Sequence, residues 1–273
     1  MKINKSFTYL IPYLIFLIAL ASCSVNKARI NNSLKKYFDE NKVNGCFTLL
    51  NNIDGKIIVY NMNLDTQRFS PASTFKIVNS LIGLQTGRII NDTMIIKWDG
   101  INRRPEWDKD MGMSEAFKVS NVPYYQEVAR RIGRDTMRQW IDSLGYGNKN
   151  ISGPIDSFWL NNHLKISPDE QLGLVKRLYF DQLPFRKSVQ EMVKLAMLHE
   201  DNTAYKLSYK TGWGFDELGK SLGWVVGWVQ ENNHVYFFVT FVKAPDAITD
   251  ISTARMNITK GILTELGFFQ GKK

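Results

Sequence analysis

The stretch PASTFKIVNSLIGL, residues 71–84, decides how this chain reads. It is apolar nearly all round, so as a helix it must be buried, and its single lysine, Lys76, is buried with it. Residues three apart on a helix share a face, which sets the Ser73 hydroxyl beside the Lys76 amine. Desolvation disfavours an ammonium and can lower a lysine pKa by several units, leaving an amine able to accept a proton. A hydroxyl next to such a base is the arrangement of nucleophilic catalysis. The spacing alone is weak, because SxxK recurs at Ser24 with Lys27 and at Ser33 with Lys36. Those copies fall in and beside the polar segment VNKARINNSLKKYF, residues 25–38, where the lysines read as a solvated helix face. Taken by themselves, Ser73 and Lys76 are also compatible with a helix-start serine and a snorkelling lysine.

The chain has 273 residues, 44% of them hydrophobic and 12% aromatic, enough for a substantial core in one or two closely joined units. Lys2 and Lys5 precede an uncharged run at residues 7–21 that is too short for a convincing membrane span and reads as a secretory signal. Leu20, Ala21, Ser22 and Cys23 close that run in a pattern similar to the lipobox of bacterial lipoprotein signals. Residues 1–22 would then be removed, and an acylated Cys23 would be the sole membrane contact of an exported, periplasmic protein. An ordinary signal peptide with an incidental cysteine is the alternative. Lipidation would leave Cys46 as the only thiol, without a disulfide partner, and read as an inert strand residue. His163, His199 and His234 are scattered, so no metal site is expected. The formal charge of +9 comes as doublets diluted by acids rather than as a stripe, which argues against nucleic acid. The sequence leaves the oligomeric state open.

Along the chain, a helical segment is expected over about residues 26–41, then the runs CFTLL (46–50) and KIIVY (56–60), joined by a turn at 52–55 as a hairpin. Residues 73–199 read as mostly helical, with Ser167, Pro168 and Glu170 supplying an N-cap, a first-turn proline and a capping-box glutamate. KLSYKTG (206–212) comes next, then LGWVVGWVQ (222–230) and HVYFFVTFV (234–242), the last two apolar on both faces as inner strands are, and a last helix over about 253–266. The expectation is an α/β fold of α+β type, with an antiparallel sheet built from both chain ends, about 23–70 and 200–273, and an inserted helical lobe at about 71–199. Such an arrangement would leave a cleft between the lobes. Repeats, low-complexity tracts and glycine-rich phosphate loops are not evident.

Two further elements fall in order after Ser73: Ser120, Asn121, Val122, and Lys210, Thr211, Gly212 at the end of an alternating segment. Serine, lysine and threonine at such places can bind a carboxylate and pass a proton to a leaving amine, while Gly212 permits close backbone approach. With PASTFK, SNV followed by PYYQEVARRIG, Tyr146 to Asn148, DSFWL, ISPDEQ, KTGWG and Arg255, the chain resembles a class D, oxacillinase-type serine β-lactamase through nearly all of its mature length. In the broader serine β-lactamase set the motifs are SxxK, SDN and KTG, with a separate glutamate for deacylation in class A. Here Val122 stands where class A has asparagine, and no class A glutamate loop is found.

That resemblance implies the serine β-lactamase and penicillin-binding-protein fold, and β-lactam hydrolysis through a Ser73 acyl-enzyme that confers antibiotic resistance. It implies no cofactor beyond CO2 carried as a carbamate on Lys76, the general base of both half-reactions. Val122 would keep that pocket apolar and Trp159 would donate its indole N–H to the carbamate. Ser120 and Lys210 would relay a proton to the ring nitrogen, Thr211 and Arg255 would anchor the substrate carboxylate, and the backbone N–H groups of Ser73 and Trp213 would stabilise the oxyanion. A non-hydrolytic β-lactam sensor and a penicillin-binding transpeptidase are the competing readings. Substrate spectrum is expected to depend on the loops at residues 98–107 and 213–218.

Overall fold

The computed structural model describes residues 28–246 and 249–273; the signal segment, Cys23 and Ser24 with Lys27 lie outside the described residues. Seven strands form one sheet: β1 (Arg29–Ile30), β2 (Asn44–Asn51), β3 (Ile57–Tyr60), β4 (Leu198–Asp201), β5 (Lys206–Phe215), β6 (Ser221–Glu231) and β7 (His234–Lys243). Their spatial order is β1-β3-β2-β7-β6-β5-β4. The first three strands and the last four meet where β2 pairs antiparallel with β7, Cys46 opposite Phe241.

Two expectations need correction. The sheet is mixed, because β1 runs parallel to β3, with Arg29 opposite Ile58. A two-residue strand has no period to read, so its residues look like part of a continuous helix in the sequence. The chain instead passes from β1 into a 3-10 turn (Asn32–Leu34) and a helix of six residues, α1 (Lys35–Glu40). The middle is also less helical than its composition suggests. After α2 (Met62–Asp65), it holds α3 (Lys76–Gln85), α4 (Met113–Lys118), α5 (Val122–Ile132), α6 (Arg134–Leu144), α7 (Pro168–Tyr179) and α8 (Lys187–Met197), but residues 86–112 and 145–167 are long connections without a regular helix. The terminal helix is α9 (Ile251–Glu265).

Strand alternation divides the core in two. Trp224, Val226 and Trp228 of β6, with Phe237, Val239 and Phe241 of β7, pack into the cluster that contains α3, α5 and α7. Val225, Val229, Phe238 and Val242 turn to the other face and pack with Phe38 of α1 and with Ile258 and Ile262 of α9. Helices cover both faces, which is why these strands carry unbroken apolar runs. Each such fully buried side chain contributes about 1.5–3 kcal/mol from its removal from water. Of the helices, α7 packs across β2, β7 and β6 and α8 reaches β5, while the turn at Ala72–Phe75 lies against β5, where the motif residues gather.

Candidate active site

The nucleophile candidate sits in a tighter element than expected. Residues Ala72–Phe75 form a 3-10 turn, and α3 proper begins at Lys76. Side chains three apart eclipse in a 3-10 turn, so the Ser73–Lys76 approach is closer than an α-helix would give. Nζ of Lys76 lies 2.7 Å from Oγ of Ser73. Ala72, just before the serine, has φ of 47°, and Ser120 has φ of 56°. Left-handed backbone at non-glycine residues costs on the order of 1–3 kcal/mol and persists only where packing enforces it. Ser120 is itself held this way, and Ser73 directly follows a residue that is.

Packing supplies the enforcement. Ser70 donates its hydroxyl to the Trp159 carbonyl at 2.9 Å, and Trp224 donates its indole N–H to the Ser70 carbonyl at 2.9 Å. Thr74 donates to the Pro71 carbonyl and accepts from the Gln171 amide at 2.6 Å. Gly212 of β5 is pressed onto this turn: a Cβ there would lie 3.1 Å from the Pro71 oxygen and 3.1 Å from Thr74 Cγ2. Its lack of a side chain therefore serves the seating of the nucleophile turn against the sheet.

Lys76 is fully buried, and burial drives its pKa well below the ordinary lysine value, with the nearby Lys210 charge adding to the effect. The Tyr125 ring lies 5.5 Å from its nitrogen, and among the described residues no carboxylate pairs with it. Lys210 is 2% exposed; burial, with the Arg255 charge second, lowers its pKa to about 7. Its Nζ donates to Ser120 Oγ at 3.0 Å and to the Thr211 carbonyl at 3.1 Å, and the Phe117 ring is 5.4 Å away. The site thus holds two serine–lysine pairs, and both amines are depressed by desolvation.

Ser73, Ser120, Val122, Thr211, Trp213 and Arg255 line one cleft of about 300 Å3. Gly212 lies beneath it. Arg255 of α9 donates from Nη1 to the Gly212 carbonyl, leaves Nε buried without a partner among the described residues, and has its pKa lowered to about 10 by burial, against an opposing pull from Asp250. Trp159 is fully buried, its ring stacked 5.4 Å from that of Phe75, and its Nε1 proton has no partner among the described residues. A buried unpaired donor costs about 1–3 kcal/mol, so Trp159 Nε1 marks a place where an acceptor fits. Asn121 turns away from the cleft: its Oδ1 caps α5 through Tyr124 N at 2.9 Å, and its Nδ2 donates to the Trp107 carbonyl at 3.2 Å.

Sequence reasoning misses Ser70, Thr74, Trp224, Phe117 and Arg104, the last of which lines the cleft. Each touches a residue far away in sequence, Trp159, Gln171, Ser70, Lys210 and Trp213 respectively, and no local pattern announces such contacts. Gln171 is visible only as part of ISPDEQ. Among the described residues no cluster of three or more His, Cys, Asp or Glu could hold a metal, and no helix is long and apolar enough to cross a membrane.

A mixed sheet flanked by helices, with a buried serine–lysine pair facing a second serine–lysine pair, defines an active-site-serine protein of the penicillin-binding type, and residues 29–264 match the family model described as Penicillin binding protein transpeptidase domain. A probable β-lactamase, YbxI of Bacillus subtilis (strain 168), is 39% identical over 249 residues, covering 90% of this chain and 90% of that protein. The class D β-lactamase YbXI from Nostoc superposes with a TM-score of 0.83 at 38% identity, over 88% of this chain and 100% of that one. The C-terminal domain of the Bacillus licheniformis BlaR penicillin-receptor gives a TM-score of 0.82 at 31% identity, over 89% of this chain and 97% of that one. Within the transpeptidase-type family, the chain belongs to the class D serine β-lactamases.

Proposed function

We propose that this protein hydrolyses the β-lactam amide bond of penicillin-type antibiotics through an ester on Ser73, and so confers resistance to them. The observation that carries the reading is the Ser73–Lys76 pair at 2.7 Å, with the amine fully buried and its pKa driven down. A neutral amine at that distance is placed to hold the serine proton as Oγ attacks the lactam carbonyl. Backbone N–H groups of Ser73 and Trp213 are assigned to the developing oxyanion. When the lactam C–N bond breaks, the ring nitrogen needs a proton, and the Ser120 hydroxyl, 3.0 Å from Lys210 Nζ, supports that role. A lysine titrating at about 7 can resupply it near neutrality. Thr211 and Arg255 are assigned to the ring carboxylate.

Lys76 also fits carboxylation by CO2. Burial pushes its amine toward the uncharged form that attack on CO2 requires, Val122 lends an apolar wall to the adjoining cleft, and the orphan Trp159 Nε1 proton offers the donor that a carbamate needs. When bound, CO2 would supply a carboxylate-like general base for acylation and for water attack on the ester. Export behind residues 1–22, with a lipid on Cys23 holding the protein at a periplasmic membrane face, completes the reading.

Intact-mass spectrometry with benzylpenicillin tests the activity. An adduct on Ser73 that appears and decays with release of hydrolysed product is expected. A persistent adduct would instead match a penicillin receptor or a transpeptidase, and no adduct would end the reading. Incubation with 13C-bicarbonate should give a carbamate NMR signal that Lys76→Ala removes. Lys76→Ala should remain folded yet show little or no turnover.

A further inference from the structure

Arg104 lies in the connection between α3 and α4 and lines the same cleft as Ser73 and Arg255. Its guanidinium carbon is 4.6 Å from the Trp107 ring centroid and 6.0 Å from that of Trp213. The two indoles come from opposite walls. Trp107 is fixed to the Ser120 side by its indole N–H donating to the Val119 carbonyl at 3.0 Å, and Trp213 belongs to β5. Arg104 therefore stands in the cleft within reach of both indole rings.

Its neighbours show what it lacks. Arg103 makes two hydrogen bonds to Asp99, at 2.9 and 2.8 Å, and Arg130 and Arg131 both bond Glu127. The Arg104 guanidinium has no ion pair or hydrogen bond among the described residues, and no carboxylate lines the cleft. Contacts to aromatic rings occupy the faces of a guanidinium and leave its N–H edges free. Those edges match a carboxylate bidentately, which a lysine could not do. Stacking also restrains the side chain, so less entropy is lost when an anion docks.

If penicillins are the substrates, as proposed above, their ring carboxylate is already assigned to Thr211 and Arg255, so the Arg104 cation is left for another part of the substrate. We propose that Arg104 is a specificity residue that binds an anionic group on the acylamino side chain, selecting penicillins that carry a side-chain carboxylate. The bonds made and broken stay those of Ser73 acylation. Arg104 adds a charge-assisted contact outside the lactam.

Carbenicillin and benzylpenicillin differ only by a carboxylate on the side-chain carbon, and ampicillin bears an amine there. The measurement is the second-order rate of Ser73 acylation by each of the three, in wild type, Arg104→Leu and Arg104→Glu. Leucine keeps apolar cover beside the indoles and removes the charge. The expected result is that Arg104→Leu slows carbenicillin by roughly tenfold more than it slows benzylpenicillin. Arg104→Glu should widen that gap and shift preference toward ampicillin. Equal slowing of all three in Arg104→Leu would make Arg104 a packing residue and overturn the proposal, as would no change in any of them. Steady-state turnover of benzylpenicillin by the wild type reports separately on the hydrolase reading: acylation that discriminates the pair without release of product sinks that reading and leaves Arg104 in place, whereas absence of any adduct sinks both.

Discussion

Lys210 lies between the Phe117 ring and the Ser120 hydroxyl, and its depressed pKa places a proton transfer within the range of ordinary assays. In the free protein the ammonium that would resupply the Ser120 proton is lost as pH rises through about 7. The kcat/KM for benzylpenicillin should therefore fall above that pH. A bound carboxylate favours the charged amine, so the corresponding limb in kcat should move to higher pH. Arginine stays charged throughout, and Lys210→Arg should abolish the limb even where it lowers the rate. Profiles from about pH 5.5 to 9.5 check this, and a limb that persists in the arginine variant would belong to another group. Stability tracks the same titration with a definite sign. Between about pH 7 and the ordinary lysine value of 10.5, the unfolded chain keeps the proton that folded Lys210 has released, so stability rises with pH across that window.

At the scale of elements, α7 shows how a cap reaches the site. Ser167 Oγ accepts from Glu170 N at 3.2 Å, and the Glu170 carboxylate accepts from Ser167 N at 2.9 Å while pairing with Arg68. The next residue, Gln171, is the donor that holds Thr74 beside the nucleophile. Ser167→Ala removes one half of the box and should cost about 1 kcal/mol by urea unfolding. Loss of much more would mean that α7 and the Ser73 turn unfold as one unit, and no loss would mean that the box is idle. This helix is legible in the sequence because Ser167, Pro168 and Glu170 are local signals that act within one turn. β6 and β7 are legible from Trp224, Phe237 and their apolar neighbours, since sheets covered on both faces need such runs. The parallel pairing of β1, the 3-10 geometry at Ser73 and the placement of Arg104 near Trp107 and Trp213 are not. Each is set by contacts across the sheet or the cleft, and the residues involved carry no period of their own. The serine and lysine motifs are readable in order, but only the fold shows that Asn121 serves as a cap and Gly212 as a seat for the nucleophile turn.

For the molecule as a whole, the seam where the two ends of the chain meet carries a buried acid. Asp65 of α2 is 3% exposed and accepts a hydrogen bond from Thr48 of β2, the strand that joins the N-terminal strands to β7. Burial raises its pKa to about 6 and the Asp169 charge pushes the same way, against the Thr48 hydrogen bond. Because the folded-state value lies above the ordinary 3.8, the folded protein binds the proton more tightly than the unfolded chain between about pH 4 and 6. Stability is thus lost as pH rises through that window, and above it a penalty of about 3 kcal/mol is fully present. Asp65→Asn keeps the shape and an acceptor for Thr48 but cannot ionise. Its amide adds a donor that needs a partner, so the absolute change mixes two effects, while the pH dependence of the difference reports the charge alone. Relative to wild type, the variant should gain about 2–3 kcal/mol between about pH 4 and pH 8 when urea unfolding is compared at the two pH values. A difference that stays flat across that range would mean that Asp65 ionises in the fold at its ordinary value, and that the seam tolerates a buried carboxylate without cost.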